Sequence, residues 1–357
     1  MRATHIVVTG GAGFIGSCFA RRALARDGRV RVTVLDKLTY AGSEANLRDI
    51  TDDPARAARF EFVRGDIADQ GLVAALAREA DAIVNFAAET HVDRSILDPT
   101  AFLRTNVNGV HALLEAVRAE NERAMRGERA GAPRLLQVST DEVYGSVESG
   151  ESVEADPLAP RSPYAAAKAA GELLARSYAV TFGVDVVITR GANTYGPHQH
   201  PEKLIPLFVT SAIDDQPLPM YGDGMQRRDW LFVDDHADAI AFVLERGDAG
   251  GVYNVAGSHQ TTNREVIAAL LAAMGKPWSL VRSVADRPGH DRRYAMSGAR
   301  LASLGFVPRT TFDDGIARTV RWYLDHQGWW RGLRSGDWHD YYARQYADRL
   351  ATSSAAD

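Results

Sequence analysis

A doubly wound α/β fold, a parallel sheet with helices on both faces, is what this 357-residue chain predicts. Two observations carry that prediction. Short segments rich in β-branched residues alternate with helix-period segments through the first half, and a glycine-rich turn joins the first strand to the first helix. Strand and helix in regular succession require crossovers, and crossovers build parallel sheets buried on both sides. A third observation, the change to Pro- and Gly-rich texture after residue 192, predicts a smaller α/β domain beside the sheet.

Taken in order, strands are expected over 5–9, 30–36, 60–66, 82–88, 135–139 and 184–190, each a short apolar run. Helical patterns fill the intervals at 14–26, 70–79, 99–120 and 163–182. The charged stretch "NERAMRGERAGAP" at 121–133 predicts a solvated loop. Beyond residue 192, "TYGPHQHPEKLIPLF" and "QPLPMYGDGMQRRDW" predict loops and short elements, followed by amphipathic helices over 234–247 and 262–275. Each of those helices has an N-cap candidate and a closing glycine. The aromatic run between 322 and 342 is read as packing of C-terminal helices, and the last seven residues as disordered.

Composition bounds the partners. With 45% hydrophobic and 24% charged residues, the chain can bury one large core and a smaller one. A net charge of −5 argues against nucleic acid or an anionic membrane, so any phosphate site must be a local cluster of cations. The one cysteine, Cys18, excludes an intrachain disulfide framework and suits a reducing compartment. The N-terminus lacks a signal-peptide pattern and no apolar run is long enough to span a bilayer, which predicts a cytoplasmic protein.

In "TGGAGFIGS" the glycines fall at Gly10, Gly13 and Gly16, after a strand and opening a helix through Phe14 and Ile15. That spacing lets backbone approach a pyrophosphate, which then rests on the helix N-terminus. Asp36 closes the second strand twenty residues beyond Gly16. A carboxylate there accepts the ribose hydroxyls and repels a 2′-phosphate, favouring NAD over NADP; Lys37 softens the preference. Leu38 and Thr39 follow it, Asp66 and Ile67 would flank the adenine, and Phe86, Ala87 and Ala88 would run beneath the ribose and nicotinamide. Thr90 and Thr105 complete the candidate cofactor set. Residues 1–192, with 229–257 returning, form the expected Rossmann-like NAD domain; 193–228 and 258–345 form the substrate domain, and 346–357 a tail.

Tyr164 and Lys168 lie four apart on one helical face. A phenol is a poor base at neutral pH, and an adjacent ammonium together with a charged nicotinamide is expected to lower its pKa. "QVSTDEVYG" sets Thr140, Asp141 and Glu142 at the carboxyl end of a buried strand, where open α/β sheets bind ligands.

The "TGGAGFIG" start, the "STDEVYG" strand end and the "YAAAK" helix resemble the extended branch of the short-chain dehydrogenase/reductase superfamily. Within it the chain is most similar to the nucleotide-sugar dehydratases, the dTDP-glucose 4,6-dehydratase family. "DKLTYAG", "AAETHVDRSI", "PEKLIPLF", "YGDGMQRRDWLFVDDH" and "RPGHDRRYA" extend the similarity over most of the chain. The resemblance implies a lyase that oxidises the sugar at C4, eliminates water across C5–C6 and returns the same hydride to C6. A tightly bound NAD+ would be regenerated at each turnover. It implies that Glu142 is the C5 base, Asp141 the C6 acid, and Thr140 a hydrogen-bond partner of the C4 oxygen beside Tyr164. Elimination needs one carboxylate charged and one protonated, and neighbouring acids push their pKa values apart.

For a nucleotide-sugar substrate the resemblance implies Arg228 at the diphosphate, with Asn193, Lys203, Leu204, Pro219, Met220, Tyr221 and Asn263 around phosphates and base. Thr90, Thr140, Arg287, His290, Asp291 and Tyr294 complete the substrate set. The histidines are too loosely spaced for a metal site, and the chemistry needs none; His91 is read as structural. "GANTYGP" stands where the family commonly has a "CSNNYGP"-like stretch, and Thr90 where a serine is common. The resemblance also implies a homodimer through helices 99–120 and 163–182. Two alternatives stay open: action on another nucleotide sugar such as UDP-N-acetylglucosamine, by dehydration or epimerisation, or a catalytically silent NAD-binding scaffold.

Overall fold

In the computed structural model, which describes residues 3–286, 291–334 and 336–355, seven strands form one parallel sheet. They are β1 (His5–Thr9), β2 (Arg31–Asp36), β3 (Phe60–Arg64), β4 (Ala82–Asn85), β5 (Arg134–Thr140), β6 (Val186–Gly191) and, from later in the chain, β10 (Val252–Val255). Across the sheet the order is β10-β6-β5-β4-β1-β2-β3, so the winding reverses between β1 and β4. Side chains alternate between two cores. Val8, Val34, Val84, Leu136 and Val187 enter one, and Val7, Leu35, Ile83, Leu135 and Val186 the other. Burial on both faces is why these strands read as continuous apolar runs rather than alternating ones.

The second region holds two small sheets. β7 (Asn193–Tyr195) and β11 (His259–Thr262) flank β9 (Arg227–Phe232). β8 (Leu218–Tyr221) pairs with β12 (Val281–Val284), which also pairs with β13 (Ser354–Ala355). The Val233–Arg246 helix returns to pack on the Phe14–Arg26 helix before β10 rejoins the large sheet. Among the described residues no helix is long and apolar enough to cross a membrane.

Local chemistry accounts for the ends. The Pro163–Phe182 helix starts at Ser162, whose hydroxyl accepts Ala165 N at 3.1 Å, with Pro163 in the first turn, and stops at Gly183 with φ 64°. Thr262 and Glu265 form a reciprocal capping box for the Asn263–Met274 helix. The Val233–Arg246 helix departs from expectation: it starts after Phe232 without a side-chain cap, and Asp234 and Asp235 in its first turn meet the helix dipole instead.

Four further readings are corrected. β4 ends at Asn85, because residues 86–88 leave the sheet to pass over Gly10, and β3 ends at Arg64. The expected 99–120 helix is broken by a π-turn at Arg104–Gly109, where Asn106 leans out to bond Glu89 N at 2.9 Å and Glu89 O at 3.0 Å. It then continues as Val110–Met125, into the stretch read as loop; Arg129 beyond it is tied to Ala77 O, Arg78 O and Glu120. In its described residues the tail is structured, as the end of the Asp337–Ala351 helix and then β13, whose backbone pairs with β12.

Candidate active site

A cavity of about 300 Å³ opens at the carboxyl ends of the large sheet, over the winding reversal. Its floor is the glycine turn. Gly10 has φ 67°, and a Cβ there would stand 2.5 Å from Ala87 N; one on Gly16 would stand 2.4 Å from Gly10 O. Only glycine lets the three backbone segments close this tightly. Gly13, Phe14 and Ile15 line the same floor. At one end Asp36 is buried, its two oxygens accepting Ala12 N at 2.9 Å and Leu38 N at 2.8 Å. Burial pushes this carboxyl up and those amides hold it back. Lys37 pairs with Asp66 at 2.8 Å, so its charge is partly neutralised. Thr39, Ile67 and Thr105 border that end, while Phe86, Ala87, Ala88 and Thr90 run along the cavity toward the acids. Leu38 is the one member of the expected cofactor set that does not line the cavity; it packs on the core. The cradle that a Cβ would fill, and the doubly held Asp36, fit a dinucleotide.

Thr140 ends β5 and caps the short Asp141–Tyr144 turn by accepting Glu142 N at 3.3 Å. Its hydroxyl donates to Asp141 Oδ1 at 3.1 Å, and Asp141 Oδ2, also buried, has no hydrogen-bond partner. Burial first, then the Glu142 carboxylate, pushes Asp141 up to about 8; Asp229 adds to this, while Thr140 and Arg228 oppose it. Tyr164 and Lys168 are both buried on the facing Pro163–Phe182 helix. Lys168 Nζ donates to Val138 O at 2.6 Å and is pushed down to about 8 by burial, with Glu172 acting against that.

The tyrosine reading needs correction for the protein by itself. Burial and the Glu142 and Asp141 carboxyls push Tyr164 up, not down, and only the Thr140 hydroxyl facing it favours the phenolate. Lys168 is engaged with the Val138 carbonyl and is absent from the influences on Tyr164.

A second cleft of about 170 Å³ continues from the first, sharing Thr90, Glu142, Asn193 and Lys203 with it. Leu204, Pro219, Met220, Tyr221, Arg228 and Asn263 line it as well. Lys203 Nζ donates to Thr90 O at 2.9 Å, and Asn193 Oδ1 is buried without a partner. Asp291 and Tyr294 line neither cavity; they form the seat of Arg228. Its guanidinium lies 4.3 Å over the Tyr294 ring and donates to Asp291 O at 2.9 Å. Arg287 and His290 lie outside the described residues. Arg292 is paired with exposed Asp223, and Arg293 reaches Gly150 O at 2.8 Å, so neither faces the cleft.

Several lining residues carried no sequence signal. Glu89 is held by Asn106, and Gly191 gives way to the His236 ring, 2.4 Å from where its Cβ would be. His200 and His236 are buried and His198 is partly buried, and desolvation pushes them down to about 3, 4 and 3, hence neutral. His91 lines the second cleft, as does Tyr346 from the C-terminal helix, the first residue of the expected tail.

A family model described as GDP-mannose 4,6 dehydratase matches residues 7–319. A dTDP-glucose 4,6-dehydratase of Streptomyces niveus is 50% identical over 338 residues, covering 93% of this chain and 96% of that protein. The Haloferax volcanii low-salt glycan biosynthesis protein Agl12 is 46% identical over 319 residues, covering 89% of this chain and 98% of that one. Among solved structures, DesIV, a dTDP-glucose 4,6-dehydratase from Streptomyces venezuelae with NAD and TYD bound, superposes with a TM-score of 0.86 at 51% identity. It covers 92% of this chain and 99% of that one. A UDP-glucose 4-epimerase from Thermus thermophilus in complex with NAD gives 0.79 at 32% identity over 90% of this chain and 99% of that one. Since the family match starts inside the first strand and runs past every strand of the large sheet, the chain belongs to the GDP-mannose 4,6-dehydratase family.

Proposed function

We propose that this protein is an NAD-dependent dTDP-glucose 4,6-dehydratase, a hydro-lyase forming dTDP-4-keto-6-deoxyglucose. The observation that carries the reading is the Thr140–Asp141–Glu142 turn, placed where the two cavities meet, with one of its acids held neutral. The identity of about half to dTDP-glucose 4,6-dehydratases over most of the chain supports it, as do the NAD-bound relatives.

NAD, held by Gly10, Gly13, Gly16 and Asp36, would accept the C4 hydride and give it back to C6. Tyr164, as the phenolate that the positive charge of a bound nicotinamide would favour, takes the C4 hydroxyl proton, with Lys168 one turn along the same helix face and Thr140 beside the same oxygen. Once C4 is a ketone, the C5 proton lies alpha to a carbonyl and Glu142 removes it. The C6 hydroxyl leaves as water with the proton of Asp141, whose raised pKa keeps that proton at neutral pH. Arg228 and Lys203 meet the diphosphate, and Asn193 offers an unpaired buried carbonyl to the substrate. An epimerase cycle would leave Asp141 and Glu142 without a task.

The same reading assigns residues 1–192 and the 229–257 return to cofactor binding, 193–228 and 258–345 to substrate, 346–357 to a tail, and a cytoplasmic location. It makes the protein a homodimer through the Val110–Met125 and Pro163–Phe182 helices, whose packed pair leaves Leu173, Val180 and Phe182 exposed. Turnover of dTDP-glucose deuterated at C4 tests the function: label is expected at C6 of a 4-keto-6-deoxy product. Label retained at C4 of an epimerised sugar would overturn it.

A further inference from the structure

We infer that an aromatic cluster on the Phe312–Asp325 and Gln327–Leu333 helices latches the glycine turn through Asn46, with Trp329 and Asn46 as positioning residues that retain NAD. This rests on the NAD reading of the turn and reaches beyond residue 319, where the family match stops.

A pyrophosphate site built from backbone N–H groups depends on the turn that aims them. In the 10–16 turn the fixed point is Ala12, which is fully buried. Its N–H donates to Asp36 Oδ2 at 2.9 Å, and its carbonyl accepts Asn46 Nδ2 at 2.8 Å and Ser43 N at 3.1 Å. Asn46 is itself buried, in the short Glu44–Leu47 helix, and its backbone carbonyl accepts Arg21 Nη1 at 2.7 Å. Arg21 belongs to the Phe14–Arg26 helix, so Asn46 ties the turn to the helix that follows it.

The other end of the Asn46 amide is engaged from near the end of the chain. Trp329 Nε1 donates to Asn46 Oδ1 at 2.9 Å, and His198 Nδ1 lies 3.4 Å from the same oxygen. An indole N–H can only donate, so it fixes the amide with Oδ1 toward Trp329 and Nδ2 toward Ala12 O. The reversed amide would set donor against donor at one end and acceptor against acceptor at the other. Aromatic packing holds the indole in place. The His198 ring sits 4.5 Å from Trp322 and 5.7 Å from Trp329, and the two tryptophans are 4.9 Å apart. Next to His198, Gln199 lines the cofactor cavity, and its carbonyl accepts the Tyr323 hydroxyl. The cluster is therefore fastened to the cavity twice, to the glycine turn through Asn46 and to the Gln199 segment through Tyr323.

The test loads the full-length holoenzyme with radiolabelled NAD+ and follows its release after a chase of unlabelled NAD+. Wild type, Trp329→Phe, Asn46→Ala and the double variant are compared. Trp329→Phe keeps an aromatic ring and removes one hydrogen bond, so release should quicken roughly 2- to 12-fold, the worth of one neutral hydrogen bond. Asn46→Ala, which also frees the Ala12 carbonyl, should release faster still. In that background Trp329→Phe should add nothing, because the indole N–H has already lost its acceptor. Excess NAD+ should restore kcat on dTDP-glucose in both single variants with its KM unchanged, which a general loss of folding would not allow. Unchanged release in Trp329→Phe overturns the inference, and so does an equal acceleration by Trp329→Phe in both backgrounds. If Asn46→Ala fails to fold, Trp329→Phe decides alone: wild-type release overturns the inference, and faster release with kcat restored by NAD+ supports it. Release is read without turnover. Wild-type protein that holds NAD+ yet does not dehydrate dTDP-glucose would therefore defeat the proposed reaction, while faster release from Trp329→Phe would still support the latch.

Discussion

Replacing Asp141 by Asn separates the two things its buried carboxyl is asked to do, keep a proton and deliver it. Asn has the same shape and keeps a neutral donor, but it cannot give up a proton to a departing hydroxide. An ordinary aspartate titrates near 3.9, whereas burial and Glu142 push Asp141 up to about 8. The folded wild type therefore holds this proton where the unfolded chain has released it. Stability contributed by keeping the group neutral is complete below the unfolded pKa and is lost as pH rises toward the folded one. The slope for one proton is about 1.4 kcal/mol per pH unit. Urea unfolding of wild type and Asp141→Asn between pH 5 and about 7 should give curves that diverge by roughly that slope, the variant being flatter. Turnover should fall by about 10²–10⁴, the usual worth of a general acid. The sugar should still be oxidised, so reduced nicotinamide builds up in the near ultraviolet. Parallel stability curves would mean that Asp141 is ionised in the folded protein, and undiminished product formation would remove it from the acid's role.

Two further variants test the rest of the site. Glu142→Gln should also stop the cycle after C4 oxidation, by about 10²–10⁴ in turnover, with reduced nicotinamide visible on mixing with dTDP-glucose; loss of all reduction would place Glu142 in the oxidation step instead. Glu172→Gln breaks a fully buried pair with Arg190, whose Nε lies 3.1 Å from both carboxylate oxygens, and should cost about 3–5 kcal/mol in denaturant unfolding. Replacing both partners, Glu172→Leu with Arg190→Met, should recover much of that loss, because no unpaired charge then remains.

What could be read from the chain follows where the physics is local. β1 and β2, the Phe14–Arg26 helix and the Pro163–Phe182 helix match their expected spans within a residue, because apolar runs, caps and glycines act over a few positions. The glycine turn and the acid turn were legible for the same reason. The π-turn at Arg104–Gly109 was not: it depends on Asn106 bonding to Glu89, seventeen residues earlier, and helical periodicity holds no trace of it. Nor could Tyr346 be placed in the cleft, since its contact with Tyr221 spans more than a hundred residues. The tyrosine's pKa failed differently. Spacing put Lys168 on the face of Tyr164, but not the Val138 carbonyl that engages its ammonium, nor the carboxyls that oppose ionisation.

Hydrogen bonding also decides which oxygen of Asp141 carries the proton. Thr140 has one hydroxyl hydrogen, which it donates to Oδ1 at 3.1 Å, while its own hydroxyl oxygen accepts Glu142 N at 3.3 Å. Oδ1 is thus an acceptor. The remaining oxygen, Oδ2, is buried with no protein partner, and an unpaired anionic oxygen there would bear the whole desolvation penalty. A proton on Oδ2 relieves that penalty. It also leaves the acid's donor as the one polar atom of the group that the protein does not use, ready for the substrate. Thr140→Val should therefore disturb more than the C4 oxygen. Without the hydroxyl, Oδ1 loses its donor as well, and the Asp141 pKa should rise further, because Thr140 is a lowering influence on it. The alkaline limb of the stability curve, set by Asp141, then moves to higher pH in Thr140→Val, and a shift to lower pH would reverse the assignment of the proton.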